Sequence, residues 1–229
     1  MIARSLVAAA AALALGACTT PGTTPETVLA GQWHAVSLPG KDNTRYEREH
    51  KDGRAAWCAT SKRSASLWRR HVDVPAAHIG GVSFSWWVQD LIANASVAEA
   101  HLEDAPARVM FAFGGDIGSL PARTRLMFDL AEALTGERPP FATLMYVWDA
   151  TAPVGSVIHN PRSDRIRKIV VDSGPTQLRR WRNHQRDLAA DFRLAFGETP
   201  GPLTAIALMT DSDNTKSSAL SWYGAVDLH

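Results

Sequence analysis

The chain has 229 residues, with 24 Lys plus Arg against 23 Asp plus Glu, and is 45% hydrophobic and 21% charged. That length suffices for a real core in one large domain or two small ones, and the composition excludes disordered and fibrous classes. A formal net charge of +1 excludes a nucleic-acid binder that works by bulk positive charge.

At the N-terminus, Arg4 precedes an uninterrupted Ala/Leu/Val run over residues 6–15. The run is far short of the roughly 20 residues that span a bilayer and has the length of a signal-peptide apolar region. It ends in Leu15-Gly16-Ala17-Cys18, which resembles the bacterial lipoprotein signal. That resemblance implies that residues 1–17 are removed and that Cys18 is lipidated as the first mature residue. Removal of Arg4 balances basic against acidic residues. Acyl chains on Cys18 would hold the protein to a membrane. Residues 18–29 (CTTPGTTPETVL) are rich in Thr and Pro and read as the lipidated N-terminus and tether. Thr19 is not acidic, which in Gram-negative bacteria resembles the pattern for the outer membrane, facing the periplasm. With Cys18 lipidated, Cys58 has no partner in the chain and reads as a buried thiol.

Residues 30–229 read as a single domain, mainly β. Short runs rich in β-branched and aromatic residues occur at 31–38, 54–61, 65–72, 81–88, 108–113, 143–148, 166–171, 203–210 and 219–226. Turn formers punctuate them: Pro39-Gly40, Asp52-Gly53, Gly114-Gly115, Asn160-Pro161 and Ser173-Gly174-Pro175. Many short strands without regular helices between them predict an antiparallel β-sandwich, jelly-roll-like, rather than a parallel α/β sheet. Two helices interrupt the series. Residues 122–135 place Leu126, Leu130 and Leu134 on one face, beside Met127 and Ala131, and end at Gly136. Residues 182–196 space Leu188, Phe192 and Phe196 four apart and end at Gly197. Trp181 would staple the start of this second helix.

Blocks scattered along the domain carry a family resemblance. They include Leu38-Pro39-Gly40-Lys41 with Thr44 and Tyr46, Ser64-Ala65-Ser66-Leu67, Ser85-Trp86-Trp87-Val88 and Tyr146-Val147-Trp148. Val171-Asp172-Ser173-Gly174, Trp181 with Arg186, Asp187 and Asp191, and Phe196-Gly197-Glu198-Thr199-Pro200 follow. Met209-Thr210-Asp211-Ser212-Asp213-Asn214-Thr215 is the most specific block, and Tyr223-Gly224 closes the set. From about Gln32 to the end the chain resembles the bacterial domain-of-unknown-function family 3047. Ser212 stands where the family pattern has Thr, and His184 stands near an expected Asn. The resemblance implies a fold and no activity. The strand pattern is also similar to β-jelly-roll carbohydrate-binding modules, at the level of fold only.

Chemistry has to come from individual residues. Asp211, Asp213 and Asn214 lie between two strands, where their side chains would form Asx-turns in a hairpin connection. The same oxygens are candidates for ligand contact or for Ca²⁺, although the block lacks the glycine and distal Glu of an EF-hand loop. In residues 82–88, alternation sets Val82, Phe84, Trp86 and Val88 on one face and Trp87 on the other with Ser83 and Ser85. Trp87 then either packs beneath a helix or belongs to an exposed aromatic face of the kind that stacks on sugar rings. Trp181 is a second binding candidate, whereas Trp57, Trp68 and Trp148 read as core. The His residues show no zinc-helix spacing, and neither a Gly-x-Ser-x-Gly elbow nor a phosphate loop is present. Asp172, Asp187, Asp191, Asp211 and Asp213 would serve glycoside cleavage if two of them met across a cleft.

Three functions follow as expectations: a non-enzymatic, lipid-anchored envelope module that binds a ligand such as a glycan, a polysaccharide-active envelope enzyme using the clustered aspartates, and a structural envelope lipoprotein. The expected partners are the membrane and an envelope component, with no nucleic acid.

Overall fold

The computed structural model describes residues 31–229. The expected leader (1–17), Cys18 and the tether lie outside the described residues. The elements run β1 (His34–Ser37), β2 (Arg45–Lys51), β3 (Arg54–Lys62), β4 (Ser66–Val74), β5 (Gly81–Val88), β6 (Ala105–Phe113) and α1 (Ala122–Thr135). They continue with β7 (Ala142–Asp149), β8 (Val157–Asn160), β9 (Ser163–Ser173), β10 (Trp181–Asp187), α2 (Leu188–Phe196), β11 (Leu203–Asp211) and β12 (Ser218–Leu228).

Two sheets stack face to face. The larger has the order β1-β4-β11-β6-β7-β9-β8 and the smaller β10-β5-β12-β3-β2. Pairing is antiparallel except between β7 and β9, which run parallel. The inward positions of both sheets, among them Phe84, Trp86, Phe111, Tyr146, Trp148 and Tyr223, form the main core. All these elements and the core they enclose lie within 31–229, so this segment has a hydrophobic core of its own. The protein is therefore a mainly β sandwich with two helices. Among the described residues no helix is long and apolar enough to cross a membrane.

Each of the strands expected from the sequence forms. Three further strands, β2, β8 and β10, were not read from the sequence, and each is a sheet edge. Edge strands carry charged and polar side chains that oppose pairing with other chains, which erases the apolar alternation. β2 (RYEREHK) and β10 (WRNHQRD) show this plainly.

The second helix is corrected. Residues 181–187 are strand, and α2 begins only at Leu188, with Asp187 as N-cap accepting from the Ala190 N–H at 2.8 Å. Arg182, His184 and Arg186 alternate inward onto buried carboxylates, a period of two that a helix cannot provide. The four-residue spacing survives where the helix is real: Leu188 and Phe192 are fully buried, and Phe192 packs 4.6 Å from Phe113. Trp181 is accordingly no helix staple but the strand partner of Trp87. The first helix forms as expected and ends at Gly136 in the left-handed region (φ 74°). Its Leu126, Leu130 and Leu134 face solvent, and Phe128 alone among its residues is buried.

Candidate functional site

The outer face of the smaller sheet brings the two candidate tryptophans together. Trp181 on β10 pairs with Trp87 on β5, and Trp87 pairs with Trp222 on β12. The Trp87 and Trp222 rings meet edge to face at 5.0 Å. Ala56, Cys58 and Leu220 complete a small apolar cluster beneath them. Cys58 is a buried free thiol, and burial followed by the nearby Glu49 carboxylate pushes its pKa up to about 11.

The β2–β3 hairpin covers this cluster in place of a helix. Asp52 and Gly53 both have positive φ (50° and 79°), the tight-turn geometry that Asp-Gly favours. The hairpin tip bends over the sheet, since Trp181 Nε1 on one edge strand donates to the Lys51 carbonyl on the other at 3.1 Å. Lys51 Nζ sits 3.8 Å from the Trp87 ring centroid and 4.6 Å from that of Trp222. Trp222 Nε1 donates to Glu49 at 2.8 Å, and Arg54 donates to the Asn183 side chain at 2.8 Å. Trp87 Nε1 is buried and has no hydrogen-bond partner.

Beside this wall lies an open trough of about 410 Å³ across β10, β5 and β12. Asn183, Gln185, Ser83, Ser85 and Asp227 supply its polar groups. Small residues and a bulge make the depression: the β12 register shifts between Tyr223 and Val226, and Ala225 within the bulge lines the trough, next to Gly224. A Cβ on Gly224 would stand 2.3 Å from Ser85 Oγ and 3.7 Å from the Trp181 ring, so glycine is what lets these strands and the indole approach. Amides, hydroxyls and one carboxylate beside an indole can bond the hydroxyls and pack against the apolar face of a sugar-like ligand.

The inner face of β10 fixes its outer face. Asp172 on β9 accepts from Trp86 Nε1 (2.8 Å), His184 Nε2 (2.9 Å) and Arg182 Nε (2.9 Å). Burial alone would raise its carboxyl, but the bonds from His184, Trp86 and Arg182 hold it below the ordinary carboxylate range. One turn into α2, Asp191 accepts from Arg186 through both oxygens and from the Tyr146 hydroxyl at 2.6 Å. Burial and that carboxylate push the Tyr146 phenol well above its usual value.

The five aspartates are not assembled on one cleft. Asp187 caps α2, and Asp172 and Asp191 are spent on these interior bonds. Asp211 ends β11 of the larger sheet and Asp213 lies in the turn that follows, where the 89–104 segment covers the sheet. There Asp104, Asp211 and Asp213 bring carboxylate oxygens within 4.8 Å of one another. Arg108 donates to both oxygens of Asp211, at 3.1 and 2.9 Å, and Lys41 pairs with Asp213. Asp104 accepts from the Asn214 and Thr215 backbone N–H groups and the Thr215 hydroxyl. Burial pushes the Asp211 carboxyl up, to about 7, against the pull of Arg108. Ca²⁺ takes six to eight oxygens, and it would have to compete with Arg108 and Lys41 for those of Asp211 and Asp213. The Asn214 side chain donates to the Ala100 carbonyl, which ties the turn to the covering segment.

Sequence reasoning missed Trp222 and Lys51 beside Trp87, and Asn183, Gln185 and Asp227 in the adjoining trough. Lys51, Asn183 and Gln185 lie on polar edge strands, and only tertiary pairing places all five there. It also missed Glu103 of the covering segment, which binds Lys168 at 2.6 Å and Arg162 at 3.1 Å.

No curated protein matches the chain. Among solved structures, the family 11 carbohydrate-binding module of cellulosomal cellulase Lic26A-Cel5E of Clostridium thermocellum aligns at 11% identity and TM-score 0.41, over 89% of each chain. Endoglucanase 3 from family GH12 of Trichoderma harzianum aligns at 10% identity and TM-score 0.42, over 88% of this chain and 96% of its own. The native family 12 xyloglucanase from Bacillus licheniformis aligns at 8% identity and TM-score 0.42, over 80% and 84%. The family model described as a protein of unknown function, DUF3047, matches residues 31–227, and the chain belongs to that family.

Proposed function

We propose that this protein is a lipid-anchored envelope module that binds a glycan, without catalysis, on the outer face of its smaller sheet. One observation carries the reading: the trough over β10, β5 and β12 sets Asn183, Gln185, Ser83, Ser85 and Asp227 beside the Trp181 indole. The lipoprotein-like Cys18 and the Thr-Pro tether support placement in the envelope, at the outer membrane facing the periplasm in a Gram-negative cell. Titration of soluble glycans, read by tryptophan fluorescence, tests the binding. Trp181→Ala and Asp227→Asn are expected to weaken a positive glycan at least tenfold. A flat response across a broad panel would sink the proposal. Lipidation has its own test, since labelled fatty acid is expected on the wild-type chain and absent from Cys18→Ala.

A further inference from the structure

We infer that α1 is an interfacial helix that lays its apolar stripe on the membrane surface, with a basic trough beside it for anionic lipid headgroups. The placement rests on the lipid-anchor reading, but the surface itself is visible in the fold.

At 100° per residue, Leu126, Met127, Leu130 and Leu134 fall within about a quarter to a third of the helix circumference. They are 67%, 55%, 50% and 71% exposed. Phe128, on the opposite side, holds the helix to the body. Four large apolar side chains on one exposed stripe are more than scattered surface residues and mark an interaction surface.

The position of the chain's N-terminal stretch chooses the partner. Glu137, just past the end of α1, is bound by both terminal nitrogens of Arg69 on β4, at 2.6 and 2.9 Å. Arg69 pairs in register with His34 on β1, and the Gly31 N–H donates to the carbonyl of His71 on β4. The described chain therefore begins on the same strand pair that receives the end of the helix. Residues 18–30 extend at most ~45 Å, and α1 is about 21 Å long. A bilayer holding Cys18 is within reach of the whole stripe.

Charge points the same way. Beside Met127 and Phe128 lies a trough of about 630 Å³ lined by Arg123, Arg162, Arg167, His159 and a single acid, Asp164. Arg162 is paired with Glu103, whereas Arg123 and Arg167 have no carboxylate within salt-bridge distance among the described residues. Arg167 Nε is also buried without a hydrogen-bond partner. Anionic phosphates beside an apolar surface satisfy both features.

The test replaces the natural anchor so that it stands apart from lipidation. A chain of residues 19–229 with an N-terminal hexahistidine tag is held on vesicles through nickel-chelating lipid. An environment-sensitive fluorophore is attached at Leu130→Cys or, as control, at Glu47→Cys on β2. Cys58 is buried and its thiol is not ionised at neutral pH, so labelling goes to the introduced cysteine. On vesicles with one third phosphatidylglycerol, emission at position 130 is expected to shift to the blue and to be quenched by brominated lipid, with no change at position 47. L126S/L134S is expected to abolish the shift without changing the melting temperature, because both side chains are mostly exposed. Equal, solvent-like emission at both positions would overturn the inference. So would a blue shift at position 130 that rises with protein concentration in the absence of vesicles, which would assign the stripe to a second copy. An equal shift on purely zwitterionic vesicles would overturn the headgroup role of the trough. A failure of lipidation at Cys18 leaves all these readouts intact.

Discussion

Asp172→Ala is expected to destabilise the protein by about 3–5 kcal/mol, the range for removing one partner of a buried, hydrogen-bonded ion pair. Three donors converge on this carboxylate, and they differ in what they lose. Trp86 is fully buried, so its orphaned indole N–H has no water to turn to and costs about 1–3 kcal/mol. His184 is nearly as enclosed, with a side chain 9% exposed. The Arg182 side chain is 34% exposed, so its charge rehydrates and contributes little. For a domain of this size each kcal/mol lowers the melting midpoint by about 2–4 °C, so a fall of roughly 6–20 °C is expected. Urea unfolding followed by circular dichroism is the assay, with the midpoint moving at constant slope. Asp172→Asn keeps one acceptor and the volume, and is expected to cost less than half as much. The pH dependence has a definite sign. The Asp172 carboxyl titrates lower in the folded than in the unfolded protein, so its stabilisation is complete above about pH 4 and is lost as pH falls through the folded value. Acid unfolding below pH 4 is therefore expected to be shallower in the asparagine variant. An alanine variant within 1 kcal/mol of wild type would refute the view that Asp172 ties β10 and β5 to β9.

Three further outcomes follow from the same geometry. Gly224→Ala drives a Cβ to 2.3 Å from Ser85 Oγ. Glycan affinity is expected to fall at least fivefold for a stability cost of only about 1 kcal/mol, since the serine hydroxyl can rotate away; unchanged affinity would place the ligand elsewhere. Burial, and then the Arg108 charge, pull the Lys168 ammonium down to about 8, against the salt bridge from Glu103. The stabilisation from its neutral form is present above the ordinary lysine value and lost as pH falls through about 8. Wild type is therefore expected to gain up to ~1.4 kcal/mol per pH unit between pH 8 and 10 relative to Lys168→Met, and parallel curves in urea melts would contradict this. Ca²⁺ and EDTA are expected to leave the melting midpoint unchanged, because Arg108 and Lys41 already neutralise two of the three carboxylates near Asp211; a rise with Ca²⁺ would restore the cation reading.

The sequence alone determined the sandwich, because its central strands are apolar enough for alternation to register: residues 81–88 were read to the residue as β5. It also determined that Trp87 faces away from Trp86, since that follows from the two-residue period of a strand. Its reach ended at the edges. In β10 the alternation is of Arg and His against Trp, Asn and Gln, and only Asp172 and Asp191, opposite in space, reveal which side is buried. The same limit hid the site, since Trp181, Trp87 and Trp222 are adjacent by pairing across three strands drawn from distant parts of the chain. The leucine stripe of α1 was legible as a face, but hydrophobic spacing does not report which face meets the body. Phe128 took that role, and packing left the leucines outside. Local periodicity is written residue by residue, whereas burial, ion pairing and the meeting of strands belong to the folded chain as a whole.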